Sequence, residues 1–150
     1  MKQRKFKPFG NISSLSLGGG GIGNVWGQTT RSERVSTMSL AIESGINHLD
    51  MAPMYGKGEA ERVVGEAFKE LDHSAINLTT KCRLGTVTDS EVYTRLNNSL
   101  CRSLETMGVE KVNLFLLHSQ LIEDDYQLPF FNEHRACLLY TSDAADDAHG

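Results

Sequence analysis

Asp50, Tyr55, Lys81 and His118 are the residues of this chain whose types and spacing could do chemistry. Brought together, a carboxylate, a phenol, an ammonium and an imidazole make an acid–base device. A free phenol, with a pKa of about 10, is a reluctant acid, and a nearby positive charge makes it a better one. Burying an unpaired ammonium is costly, so a carboxylate beside it would keep it charged and in place. An imidazole close by can donate a hydrogen bond that orients the group receiving the proton. Positioned proton transfer of this kind contributes about 10²–10⁴-fold to a rate.

These residues can meet only if distant parts of the chain end at one place, and the sequence pattern supplies that. Asp50 closes the apolar stretch Ile46 to Leu49, with Tyr55 in the loop just beyond. Lys81 follows a strand-like run from Ile76 to Thr80, and His118 follows Val112 to Leu117. Between them lie helical patterns. Thr30 and Glu33 form a capping box for a helix through Ser44, with Val35, Met38 and Ile42 on one face and Gly45 at its end. A second helix is predicted from Glu59 to Leu71, with Val63, Val64, Ala67, Phe68 and Leu71 facing inward and Glu59 and Glu61 near the positive end of its dipole. Thr88 and Glu91 cap a third, carrying Val92, Leu96, Leu100, Leu104 and Met107 at helical spacing before Gly108. At the start, Phe6 and Phe9 precede a Gly10-Asn11 turn, which reads as a hairpin. The order is hairpin, three strand–helix units and a fourth strand. Alternating units imply a parallel sheet, either a (β/α) barrel, whose strand ends converge on one catalytic face, or an open doubly wound sheet.

Gly18 to Gly21, Gly23 and Gly27 form a glycine-rich stretch in which Gly18-x-Gly20-x-x-Gly23 matches the dinucleotide fingerprint in form. That fingerprint should lead straight into a helix. Here Asn24 to Gly27 intervene and the best cap is Thr30. We therefore expect a wide strand-end loop whose bare backbone lets a flat ligand lie close, with a Rossmann-type dehydrogenase as the rival reading. Each of the four reactive residues also has a plain explanation alone: partial packing for Tyr55, a solvated charge for Lys81, a cap for Asp50, a hydrogen-bonded core histidine for His118. Their joint placement at strand ends argues for chemistry. His48, His73 and His134 show no metal-ligand spacing, so no metal site is expected.

The chain has 150 residues, 39% of them hydrophobic, and a net charge of −4. That suits one globular domain but falls short of the roughly 250 residues of a full eight-stranded barrel. By length it would hold four of the eight strands. The charge gives no reason to expect nucleic acid. No stretch approaches the ~20 apolar residues of a membrane span, and no apolar run follows the basic start MKQRKFKPFG to make a secretory signal. Cys82, Cys101 and Cys137 have no paired spacing, which favours the cytoplasm.

The last fourteen residues, CLLYTSDAADDAHG (Cys137 to Gly150), share nothing with what precedes them. They resemble the translation of a transposase mosaic-end adapter, in which TGT CTC TTA TAC ACA TCT reads Cys-Leu-Leu-Tyr-Thr-Ser. Residues 137–150 are accordingly expected to be an artefactual tail, with the domain occupying 1–136. The tail holds Asp143, Asp146 and Asp147 and no Lys or Arg, so without it the charge becomes −1.

At GINHLDMAPMYGKGEAERVVG (Gly45 to Gly65) the chain resembles the first signature of the aldo-keto reductase family, and NLTTKC and SLETMGVEKVNLFLLHS fall where that family has its third strand, third helix and fourth strand. The likeness runs from about Lys5 to Ser119. It implies the N-terminal half of a (β/α)8 TIM barrel (an α/β fold) preceded by a β-hairpin, with Asp50, Tyr55, Lys81 and His118 as a catalytic tetrad. It also implies that Gly18, Gly19, Gly20 and Asp50 touch the nicotinamide end of NADP(H), with NAD(H) the alternative, and that the substrate is a small carbonyl compound or alcohol. Met51 stands where the family usually has a small or hydroxyl residue, and glycine where many members carry a Thr and an aromatic. Members of this fold also serve as non-enzymatic regulatory subunits of ion channels, a second reading. Residues 1–150 alone are expected to be inactive.

Overall fold

The computed structural model describes residues 1–7, 9–85 and 87–118. Strands β1 (Gln3–Phe6) and β2 (Gly10–Ser13) pair antiparallel, with Gln3 opposite Ser13 and Phe6 opposite Gly10. The chain therefore reverses between Phe6 and Gly10, not on Gly10-Asn11 as the sequence pattern suggested. Gly10, at φ +77°, opens β2 instead. The displacement follows from the aromatic rings: Phe6 and Phe9 stack at 5.9 Å, and Phe9 reaches the His48 ring at 5.4 Å. Asn47 fastens the hairpin below the sheet. Its Oδ1 accepts from the Ser13 N–H (2.7 Å), its Nδ2 donates to the Asn11 carbonyl (2.9 Å), and its N–H donates to Ser13 Oγ (3.0 Å).

The main sheet contains β3 (Leu17–Gly18), β4 (His48–Asp50), β5 (Asn77–Cys82) and β6 (Leu114–Leu117), all parallel and in that order. Gly18 lies beside Asp50, Asp50 beside Thr79, and Lys81 beside Leu116. Each strand neighbours the next in sequence with no reversal, as in a barrel; a doubly wound sheet would reverse its order at a switch point. The strands are also shifted relative to expectation. Asp50 and Lys81 lie within the paired ladder, and only His118 follows its strand.

Between the strands run α1 (Gly19–Ile22), α2 (Arg31–Glu43), α3 (Glu59–Ala67) and α4 (Asp89–Met107). The glycine stretch is thus not the open loop expected but one helical turn, closed by the Gly23 N–H on the Gly19 carbonyl at 2.7 Å. Asn24, at φ +64°, ends it, so the crossover helix is α2. Thr30 and Glu33 cap α2 reciprocally, with Thr30 N–H to Glu33 Oε2 at 2.7 Å. At α4 the Glu91 carboxylate accepts from both the N–H and the hydroxyl of Thr88. Helix α3 stops at Ala67, earlier than the expected Leu71, and residues 68–71 turn away while Leu71 still packs on the core.

Alternation along β4 and β5 divides the chemistry from the packing. Leu49 and Leu78 face the helices, in one cluster with Met38, Val63, Val64, Ala67 and Met107. His48, Asp50, Thr79 and Lys81 face the other way. Helices α3 and α4 touch at Gly65, where a Cβ would lie 2.6 Å from the Thr106 carbonyl oxygen. Glu61 lies in this helix layer, only 2% exposed, and accepts a 2.6 Å hydrogen bond from the Thr80 hydroxyl. The sequence pattern placed it only near the positive end of the helix dipole. The one local hint of its burial is that Glu61 shares a helical face with Val64 and Phe68.

Candidate active site

The four reactive residues converge at the C-terminal ends of the strands. Asp50 ends β4, Lys81 is the penultimate residue of β5, and His118 follows β6, its N–H bonded to the Cys82 carbonyl at 2.8 Å. Tyr55 enters from the loop between β4 and α3, anchored by its N–H on the Ala52 carbonyl at 3.0 Å. Lys81 is the hub. Its Nζ donates to Asp50 Oδ1 at 2.6 Å, to the Met51 carbonyl at 3.1 Å and to the Tyr55 hydroxyl at 3.2 Å. The ammonium also sits 4.9 Å from the Tyr55 ring centre. The His118 ring meets the Tyr55 ring edge-on at 5.5 Å.

Exposure divides the ion pair unevenly. The Lys81 side chain is 12% exposed, while Asp50 keeps 37% of its side chain open. The cation is thus held inside and the carboxylate faces the mouth. Desolvation pushes the His118 imidazole below its usual value of 6.5, and the Lys81 charge adds to this against the opposing pull of Asp50. His118 Nδ1 is buried and has no hydrogen-bond partner among the described residues.

The glycines separate on inspection. Gly18 is exposed beside Asp50, and a Cβ there would meet nothing within 4 Å. Gly19 and Gly20 are buried instead. The absent Cβ of Gly19 points at Met51 and Tyr55, and that of Gly20 at the ring of Trp26, itself 82% exposed. His48, which the sequence pattern left structural, lies two residues before Asp50 and so on the same face. Its ring joins Ser16 Oγ (2.8 Å) to Thr79 Oγ1 (2.9 Å), tying β4 to β5 beneath the ion pair.

At the rim, Glu59 binds Arg31 (2.7 Å), Arg34 (3.3 Å) and Arg62 (3.1 Å) and clamps α2 to α3. The hydrogen bond from Arg31 above all, with help from Arg62, holds its carboxyl down to about 2 from the ordinary 4.5. Burial likewise lowers His48 from 6.5. For both imidazoles the unfolded chain takes up protons that the folded one refuses, so stability is full above 6.5 and falls as pH drops below it. The Glu59 contribution is full above 4.5 and is lost as pH falls towards 2. Thermal melts should show a falling Tm from pH 7 to 5, and His48→Gln should flatten that limb. An unchanged slope would show that His48 does not supply it. Among the described residues, no group of three or more His, Cys, Asp or Glu could hold a metal ion, and no helix is long and apolar enough to cross a membrane.

A match to the Aldo/keto reductase family spans residues 14–134. The NADH-specific methylglyoxal reductase of Escherichia coli is 30% identical over 134 residues, covering 80% of this chain and 39% of the relative. Among solved structures, the thermostable aldo-keto reductase Tm1743, in complex with the inhibitor epalrestat, superposes with a TM-score of 0.64 at 26% identity, over 92% of this chain and 51% of that one. An aldo-keto reductase from Klebsiella pneumoniae in complex with NADPH has the same fold, with a TM-score of 0.64 at 23% identity over 90% and 45%. The four parallel strands are thus part of a (β/α)8 barrel, which rules out the Rossmann alternative. The chain spans about two fifths of the length of the curated relative. On this match, the chain belongs to the aldo/keto reductase family.

Proposed function

We propose that the full-length protein is an oxidoreductase that moves a hydride between NADP(H), with NAD(H) the alternative, and a small aldehyde, ketone or corresponding alcohol. The observation that carries this reading is the Lys81 ammonium bonded at once to Asp50 and to the Tyr55 hydroxyl, with His118 against the same ring. The residues present suit a nicotinamide nucleotide. Gly18 offers bare, open backbone beside the partly exposed Asp50 carboxylate, which can accept from a ribose hydroxyl. Such a cofactor, when bound, supplies or accepts the hydride. Both cofactors have precedent among the relatives, one NADH-specific and one in complex with NADPH.

In reduction, negative charge grows on the carbonyl oxygen as its carbon gains hydride. Tyr55 delivers its proton to that oxygen, and the charge left on the phenol oxygen faces Lys81 Nζ at 3.2 Å. Asp50 holds the ammonium against its tendency to seek water. The His118 imidazole, edge-on to the Tyr55 ring and with its affinity for a proton lowered by burial, orients the carbonyl. In oxidation the same residues run in reverse.

Residues 137–150 are read as foreign, and we expect residues 1–150 alone to lack turnover. Among the described residues, four strands leave β3 and β6 with unpaired edges, and the face bearing Lys81 has no opposite barrel wall. Expression of both lengths, with NADPH and NADH absorbance followed against an aromatic aldehyde, tests this. Oxidation is expected from the full-length protein only. Cofactor binding without turnover in the full-length protein would favour the regulatory reading, and turnover by residues 1–150 would overturn the inactivity expected of them.

A further inference from the structure

We propose that Gly19 and Met51 are a pair of positioning residues that jointly set where the Tyr55 ring stands over Lys81; as a statement about turnover, this rests on the reductase reading above. A Cβ on Gly19 would lie 2.8 Å from Met51 Sδ, 2.9 Å from Tyr55 Cδ2 and 3.1 Å from the Asp50 carbonyl oxygen. Contacts under 3.0 Å force something to move, and the surroundings decide what. The Asp50 carbonyl belongs to the strand ladder and is fixed.

Met51 has a flexible side chain but no open space to move it into. It is fully buried within the core cluster, its N–H is bonded to the Thr79 carbonyl at 2.8 Å, and its own carbonyl accepts from Lys81 at 3.1 Å. The Tyr55 backbone is pinned as well. Its N–H binds Ala52 at 3.0 Å, its carbonyl accepts from the Ala60 N–H at 3.3 Å, and Gly23 stands so close that a Cβ there would lie 2.7 Å from the Tyr55 carbonyl carbon. The Tyr55 ring, half-buried where Met51 is fully buried, is the side chain with more room to shift. A methyl at position 19 would tip the phenol away from Lys81 while barely disturbing the backbone. In this chain the glycine's role is to leave room between a large Met51 and the acid-bearing ring.

Two variants of the full-length protein test the pair. Gly19→Ala should lower kcat for aldehyde reduction by about 10²-fold, the usual effect of a displacement of about 1 Å, with KM changed far less. Adding Met51→Ala opens the far side, lets the methyl settle there, and should restore most of kcat although the double variant melts lower than either single one. A merely structural role would make the double variant worse in turnover as well as in Tm, and that result would overturn the proposal, as would wild-type kcat in Gly19→Ala. Crystal structures judge the pair independently of turnover. The Tyr55 hydroxyl should leave hydrogen-bond reach of Lys81 in Gly19→Ala and return to near 3.2 Å in the double variant. If the wild-type protein shows no turnover, the reductase reading fails and these structures alone decide the pair: an unmoved phenol in Gly19→Ala refutes it.

Discussion

Replacing Tyr55 with Phe in the full-length protein is expected to cut turnover in aldehyde reduction by about 10²–10⁴-fold, while cofactor affinity stays near the wild-type value. Only the hydroxyl is lost. The ring keeps its packing against Gly19 and Met51 and its edge-on contact with His118, and its backbone bonds are untouched. The hydroxyl makes one hydrogen bond to Lys81, so the stability change should be about 1 kcal/mol or less. Steady-state kinetics and cofactor titration by fluorescence quenching check both parts. Wild-type turnover in Tyr55→Phe would remove the phenol from the mechanism.

Lys81→Met should produce a loss of turnover of similar size, about 10²-fold or more, through a different atom. Methionine fills the volume of the lysine stem, so packing along β5 survives. The Asp50 carboxylate, already 37% exposed, can take water in place of its lost partner. The reverse truncation is not equivalent. Asp50→Ala leaves an ammonium that is only 12% exposed, with the Met51 carbonyl and the Tyr55 hydroxyl as its remaining partners. That variant should lose about 1–3 kcal/mol of stability as well as activity, whereas Lys81→Met should lose activity with little change in Tm. Equal losses of stability in the two variants would contradict the idea that the carboxylate holds the ammonium inside.

Much of this arrangement was legible along the chain because period and punctuation are local. The capping pairs at Thr30 and Thr88, the glycine stops at Gly45 and Gly108, and the apolar runs before Asp50, Lys81 and His118 all fall where the elements form. What escaped depends on contacts between distant residues. The reversal before Gly10 is set by aromatic stacking with a ring near position 48, and the helical turn at Gly19 by the close approach of Met51, Tyr55 and Trp26. Glu61 is buried because Thr80, nineteen residues on, offers it a hydroxyl. The two departures noted in the sequence, Met51 and the extra glycines, turn out to lie against each other. Separately each was a local oddity; in space they are one feature.

The central claim is that Lys81 acts through the Tyr55 hydroxyl, and a double-mutant cycle on single-turnover hydride transfer tests it most directly. Groups that act as a unit give strongly non-additive losses. Tyr55→Phe combined with Lys81→Met should therefore be no slower than Tyr55→Phe alone, within about threefold. Losses that multiply across the cycle would show two independent contributions and contradict the account.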